Sequence, residues 1–486
     1  VALAIVSAGA AVVRLAALSR PVEFVFDEIF YARNACRYVI GTAECGIEGL
    51  ASRAHPPLGN WMIGAGIKAF GYEAFGWRVA AALAGILTVT LLYLLVRRLL
   101  RGAVPGSAAT AGAFVAAALL AGDFLHLVHS RVAMLDVFVT LFVVAAVLFA
   151  VLDRDRERRP AWDRSPPGWL KGLALGRPWR LLAGASIGAA VAVKWSGAYI
   201  GLAVIVLILL WELVARRRDP QEPEAPRRPW GAAIGRTITE EGPRSVVLLG
   251  VVPILVYVAA YIDRMPGDVL ALPWQDGTFW RGIWEHQFAM LRFHASLEGS
   301  HPYESPSWSW LLLKRPVAYF FTDEGGAYRE ILAIGNPLVW GSGLLALLGG
   351  GIAWARSGWS LWRPEPVLIG AVLTTWLPWL LLSGSRSQVF LWYVLPTIPF
   401  LCAALGILAA RIWRDRVGRV AVAAFAAATL ALFAFFFPLL TALPLEPDDW
   451  RSRMWLTDCQ RPGAPTLVLP DDEINIGPAP PGWCWI

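Results

Sequence analysis

Long apolar stretches alternate with short polar connections along this chain, and stretches such as 79–96 and 420–440 hold no Asp, Glu, Lys, Arg or His. A helix rises about 1.5 Å per residue, so about 20 apolar residues cross a hydrocarbon core of about 30 Å with their backbone hydrogen bonds made internally. Eleven stretches fit spanning helices: 1–18, 76–97, 108–122, 132–152, 180–193, 197–215, 246–263, 333–354, 366–383, 389–410 and 418–440. The fifth is short and runs straight into Lys194 and Trp195. The first begins at Val1 without a methionine, a basic flank or a cleavage site, which reads as a trimmed N-terminus rather than a signal peptide. The expected fold is all-α and polytopic. One membrane domain covers 1–440, with extramembrane loops at 19–75 and 264–332, and a tail follows at 441–486. No internal repeat of solenoid or transporter-half length stands out.

The arginines set an orientation. Arg97, Arg98 and Arg101, the basic 153–179 connection, Arg216 to Arg218, and Arg411 to Arg419 all fall on one side if eleven spans alternate. The positive-inside rule makes that side cytoplasmic. Hydrophobic residues make up 57% of the 486 and charged residues 16%, a balance that soluble domains do not show. The net charge of +7 then reflects topology and contact with anionic lipid, and nothing in it calls for nucleic acid. The stretch DPQEPEAPRRPW at 219–230 reads as a disordered cytoplasmic loop.

The chemically suggestive residues collect on the other side, expected to be outside the cell membrane. Four of the five cysteines are there as well, Cys36 and Cys45 in the first loop and Cys459 and Cys484 in the tail, with Cys402 inside a span. An oxidising exterior permits disulfides Cys36–Cys45 and Cys459–Cys484, although spacing does not fix the pairing. No metal-ligand spacing appears, and the phosphate-loop, GxSxG and HExxH motifs of soluble catalytic domains are missing. No cofactor is demanded by the sequence. A divalent cation would have no dedicated site.

Asp27 and Glu28 follow the first span in FDEIFYA. Adjacent carboxylates point about 100° apart on a helix, so one can face a reaction while the other holds its surroundings. A carboxylate shielded from water has a raised pKa and suits the role of general base for a hydroxyl. His55 opens HPPLGNW, whose prolines force an extended start before an amphipathic segment at the interface. Arg78 and Lys194 sit at span ends, where a cation either snorkels or meets a lipid phosphate. In SRVAMLD, Arg131 and Asp136 offer either a buried salt bridge or a contribution to a site.

FDEIFYA, HPPLGNW, FGWRVAAALAG, LHLVHSRVAMLD, VKWSGAYI, SHPYESPSWSWLLLKRPV and QVFLWYVLPTIPF, in that order, resemble the protein O-mannosyltransferase family in its bacterial form. The resemblance runs nearly end to end. It implies a GT-C glycosyltransferase that moves mannose from a polyprenyl or dolichyl phosphate to Ser or Thr of exported proteins, with export machinery as a further candidate partner. On that resemblance Asp27 is the catalytic base, Glu28 its acidic neighbour and Arg78 the matching arginine. Lys194 and Arg386 meet the lipid phosphate, and the segment from His301 with Trp308 and Trp310 places acceptor or lipid. Two departures are visible: Asn60 stands where the family commonly has lysine, and the loop between spans seven and eight has no room for the β-trefoil of eukaryotic members. Single displacement with inversion is expected, because adjacent carboxylates cannot flank a sugar ring as double displacement requires. The competing expectations are a related enzyme carrying another lipid-linked sugar, a secondary transporter, and a membrane protein that only holds a partner.

Overall fold

The computed structural model describes residues 1–41, 45–46, 51–157, 176–217, 227–262, 278–296, 303–382 and 389–455. His301, Arg386, Cys459 and Cys484 lie outside these residues. Each of the eleven apolar stretches contains a helix. Among the described residues, eight helices are long and apolar enough to cross a membrane: Ala74–Leu99, Asp136–Arg156, Trp195–Arg216, Trp230–Ala259, Pro337–Arg356, Glu365–Leu382, Leu391–Ile412 and Arg416–Leu440. Gly106–Ala121 and Phe124–Arg131 make a ninth only if the pair, bent by 60°, is taken as one span. The expected count of eleven is therefore not reached by length and composition. Pro178–Val193 has 16 residues, which rise about 24 Å, short of a hydrocarbon core of about 30 Å.

The bend has a local cause. Asp123 leaves helical geometry with ψ 132°, and its carboxylate accepts the His126 amide at 3.0 Å, so it ends one helix and caps the next. Asn336 caps Pro337–Arg356 in the same way, accepting from Leu338 and Val339 ahead of a favourable first-turn proline.

Burial sorts the helices into centre and periphery. Of the most apolar 18 residues of each helix, 83% are buried in Asp136–Arg156 and 89% in Leu391–Ile412, against 17% in Arg416–Leu440 and Pro337–Arg356 and 11% in Trp230–Ala259. In the interior, Gly106–Ala121 and Ile398–Ile412 cross at contact distance, since a methyl on Gly112 would lie 2.4 Å from the Gly406 carbonyl oxygen. Small residues at such a crossing let dispersion act between backbones where lipid supplies no hydrophobic force.

The expected helical bundle is present, with three local differences. The fold is not purely helical: Val317–Glu324 and Ala327–Ala333 pair antiparallel around Gly325 and Gly326, whose φ values of 64° and 91° suit a tight hairpin. The helix expected over 246–263 starts at Trp230, the last residue of the stretch read as a disordered loop, of which 219–226 fall outside the described residues. The segment after HPPLGNW packs inward as the Leu58–Phe70 helix, with Asn60, Ile63 and Ile67 buried.

Candidate active site

The two adjacent acids have different partners. Glu28 is fully buried: Oε1 accepts from Arg78 Nε at 2.8 Å and the Ala133 amide at 2.8 Å, and Oε2 accepts from Arg78 Nη2 at 2.7 Å and the Val25 amide at 2.9 Å. Arg78 spends its remaining donors on the carbonyls of Leu18, Pro21 and Glu23. This clasp ties the loop after the first helix to the start of Ala74–Leu99 and to the chain before Asp136. The pairing of a planar fork with a carboxylate suits such a clasp. The expectation that Arg78 meets phosphate finds no geometry here, because its guanidinium is 1% exposed and saturated by protein.

Asp27 begins the Glu28–Val39 helix without capping it. Its carboxylate instead accepts the Tyr31 hydroxyl at 3.2 Å, one helical turn on. Phe26 just before it has φ 51°, a left-handed conformation that costs an aromatic residue about 1–2 kcal/mol. Packing holds it there: the Phe26 ring stacks on Tyr319 at 4.4 Å and meets Trp392 edge-on at 5.3 Å. Burial pushes the Asp27 carboxyl up to about 6; Lys194 and the Tyr31 hydroxyl pull it down, and Asp136 pushes it up. Asp27, Lys194 and Asp136 thus share one electrostatic neighbourhood.

Lys194 sits in extended backbone where Pro178–Val193 gives way to a turn at Trp195–Gly197. Only glycine fits at 197, since a β-carbon would lie 2.3 Å from the Ala190 carbonyl carbon. The ammonium donates to both oxygens of Asp136, at 2.9 and 3.0 Å, and lies 5.3 Å from the centre of the Tyr393 ring. Both residues line a cavity of 460 Å³ that His55, His294, Trp379 and Tyr393 also border, with Val139, Val143 and Leu382 on its apolar side. That volume is in the range of small-ligand sites.

The other sequence candidates divide. His55 lines the cavity beside His294, ring centres 5.7 Å apart. Arg131 does not reach it: its guanidinium donates to the carbonyls of Val13, Arg14, Ala16 and Ala17, ending the first helix. Of the two readings for SRVAMLD, the buried salt bridge exists, but between Asp136 and Lys194. Asn60 is buried against the core rather than presented to the cavity. Cys36 and Cys45 form a disulfide. Among the described residues, no three His, Cys, Asp or Glu side chains are placed to hold a metal ion together.

Several site residues were missed in the sequence. Tyr31 was detectable from its spacing of four from Asp27. Tyr319 comes from the hairpin and donates to or accepts from His129 Nε2 at 2.9 Å, a meeting across 190 residues that no local pattern signals. Tyr393 and Trp392 lay inside a quoted motif without an assigned task.

Two family models cover most of the chain: dolichyl-phosphate-mannose-protein mannosyltransferase over residues 4–225, and the C-terminal four-transmembrane region of protein O-mannosyltransferase over 279–459. The polyprenol-phosphate-mannose–protein mannosyltransferase of Mycolicibacterium smegmatis is 30% identical over 93% of this chain and 91% of its own. In fold the chain resembles the Saccharomyces cerevisiae Pmt1–Pmt2 complex bound to the sugar donor, with a TM-score of 0.68, 15% identity, and 94% of this chain and 92% of that one covered. It also resembles ArnT of Cupriavidus metallidurans, at 0.53 and 16% identity over 89% and 64%. The solved structures give the bundle the GT-C fold, and the family models with the mycobacterial relative show that the chain belongs to the protein O-mannosyltransferase family.

Proposed function

We propose that this protein transfers mannose from a polyprenyl phosphate to Ser or Thr hydroxyls of exported proteins, with inversion at the anomeric carbon. What supports this reading is a buried carboxylate, Asp27, with no ion-pair partner among the described residues, in the electrostatic neighbourhood of the lysine that lines a partly apolar cavity. Among the described acids of the cluster, Glu28 is bound by Arg78 and Asp136 by Lys194, which leaves Asp27 to act on substrate. A serine hydroxyl is a very weak acid, so its oxygen needs a base as it attacks, and Asp27 accepts that proton. The bond from the anomeric carbon to the phosphate oxygen breaks as the new bond forms. The departing phosphate is an anion already and needs no general acid, only nearby positive charge, which Lys194 supplies. His55 borders the sugar phosphate, and the apolar wall receives the start of the isoprenoid chain. Glu28 and Arg78 act by holding the loop that carries Asp27.

The same reading orients the molecule. The arginine-rich helix ends face the cytoplasm, and the Asp27 end opens to the extracytoplasmic side of the cell membrane, where exported chains emerge. The test is to incubate membranes bearing the protein with labelled polyprenyl phosphate mannose and a Ser/Thr-rich peptide, then to determine the anomeric configuration of the product by NMR. Labelled glycopeptide of configuration opposite to the donor is expected. Retained configuration, or transfer to lipid in place of peptide, overturns the proposal.

A further inference from the structure

A second polar cavity lies at the far end of the helices that carry the site. Ala74–Leu99 has Arg78 near its start and Arg98 near its end, and Asp136–Glu157 has Asp136 at its start and Arg154 near its end. Eighteen residues separate Asp136 from Arg154, or about 27 Å along a helix. At that far end, Arg98, Arg101, Arg154, Arg363, Arg411 and Arg414 line a cavity of 630 Å³, with Asp155 as the one carboxylate in the described lining. Asp155 pairs with Arg98 and Arg154, and Glu365 just behind pairs with Arg363 and Arg411. Even with Glu365 included, the cationic excess is four. Arg101 and Arg414 are exposed.

Topology alone accounts for arginines at helix ends. It does not account for six of them converging from four different helix ends and their connections on one concavity. Nor does it account for the neighbouring space. Arg411 also borders an apolar groove of 550 Å³ between the Pro337–Arg356, Glu365–Leu382, Ile398–Ile412 and Arg416–Leu440 helices, lined by Leu345, Leu368, Leu408 and Phe425. Leu345 and Leu408 are exposed at its edge. A cationic cup joined through one residue to a hydrocarbon groove matches a molecule with a phosphate at one end and an alkyl chain at the other. We propose that this pair of cavities holds one anionic phospholipid, its phosphate among the arginines and one acyl chain along the groove. Guanidinium forks suit phosphate oxygens, and the groove side chains gain by covering a chain that is itself apolar. A soluble phosphate would use only the cup and leave the groove without a role.

The experiment uses purified, delipidated full-length protein titrated in detergent with phosphatidylglycerol or with phosphatidylcholine of the same acyl chains, bound lipid being read by native mass spectrometry. Wild type should hold one phosphatidylglycerol about tenfold more tightly than phosphatidylcholine. Arg101→Glu/Arg414→Glu should abolish that preference, and Leu408→Trp should weaken phosphatidylglycerol binding by filling the groove. Mannosyl transfer and thermal melting serve as controls for folding, because all three substituted residues are exposed and remote from Asp27. Equal binding of the two lipids, unchanged preference in the double variant, or displacement by glycerol phosphate at the same concentration as lipid each overturns the proposal, the last in favour of a soluble anion.

Discussion

Asp27 and Glu28 are neighbours in sequence with opposite sensitivities to loss of charge. In Glu28→Gln, two of the four accepted hydrogen bonds meet an amide N–H in place of an oxygen, so donor faces donor at Arg78 and at either the Ala133 or the Val25 amide. The larger effect is on Arg78, left cationic at a position 1% exposed. Removing one partner of a buried pair costs about 3–5 kcal/mol, a large part of the roughly 5–15 kcal/mol that holds a folded domain. Asp27→Asn removes a charge that burial already disfavours, and the amide oxygen still accepts the Tyr31 hydroxyl. Its stability should stay within about 1 kcal/mol of wild type, while turnover falls by about 10² to 10⁴, equivalent to about 3–5 kcal/mol of barrier. Both variants should be purified in detergent and compared by thermal melting and by transfer of labelled mannose, normalised to folded protein. A Glu28→Gln protein that melts with wild type, or an Asp27→Asn protein with wild-type turnover, refutes the division of labour.

Other outcomes follow from the same geometry. Asp27 acts as a base only when deprotonated and its pKa is raised to about 6, so kcat/KM should drop about tenfold per pH unit below that value and level off above it. Lys194 holds that pKa down, so Lys194→Met should move the acid limb of the pH–rate profile to higher pH, and an unmoved limb counts against the shared neighbourhood. Arg131→Ala strips the end of the first helix of its charged donor and should cost about 3 kcal/mol in a melting experiment, with the KM for donor unchanged in the protein that remains folded. Cys36→Ser opens a loop closed across nine residues and should lower stability by about 2–3 kcal/mol, an effect that reductant reproduces in wild type and not in the variant.

The bundle was readable because apolar length is a one-dimensional property: every apolar stretch became helix, and the shortest, before Lys194, also fell short in the structure. The position of Asp27 was readable for the same reason, as a carboxylate beside a hydrophobic run. The assignments of Arg78 and Arg131 were not, because sequence shows that a cation is present and not which carbonyls surround it. Arg131 lies five residues from Asp136, yet its partners are more than a hundred residues away. The hairpin did have a local signal, Gly325–Gly326 between aromatic and β-branched residues, hidden within a connection read for its length and for the motif that precedes the hairpin.

Lys194 is already occupied. With Asp136 seated on it through two oxygens, an arriving anion has to win an exchange rather than fill a vacancy. Chloride or inorganic sulfate, bringing only charge, gains little from evicting a carboxylate held at contact distance. On the role proposed for Lys194, a phosphate tethered to a hydrocarbon tail brings a second source of affinity to that competition, and selectivity for a lipid-borne sugar would then rest on an ion pair that contains no sugar contact at all.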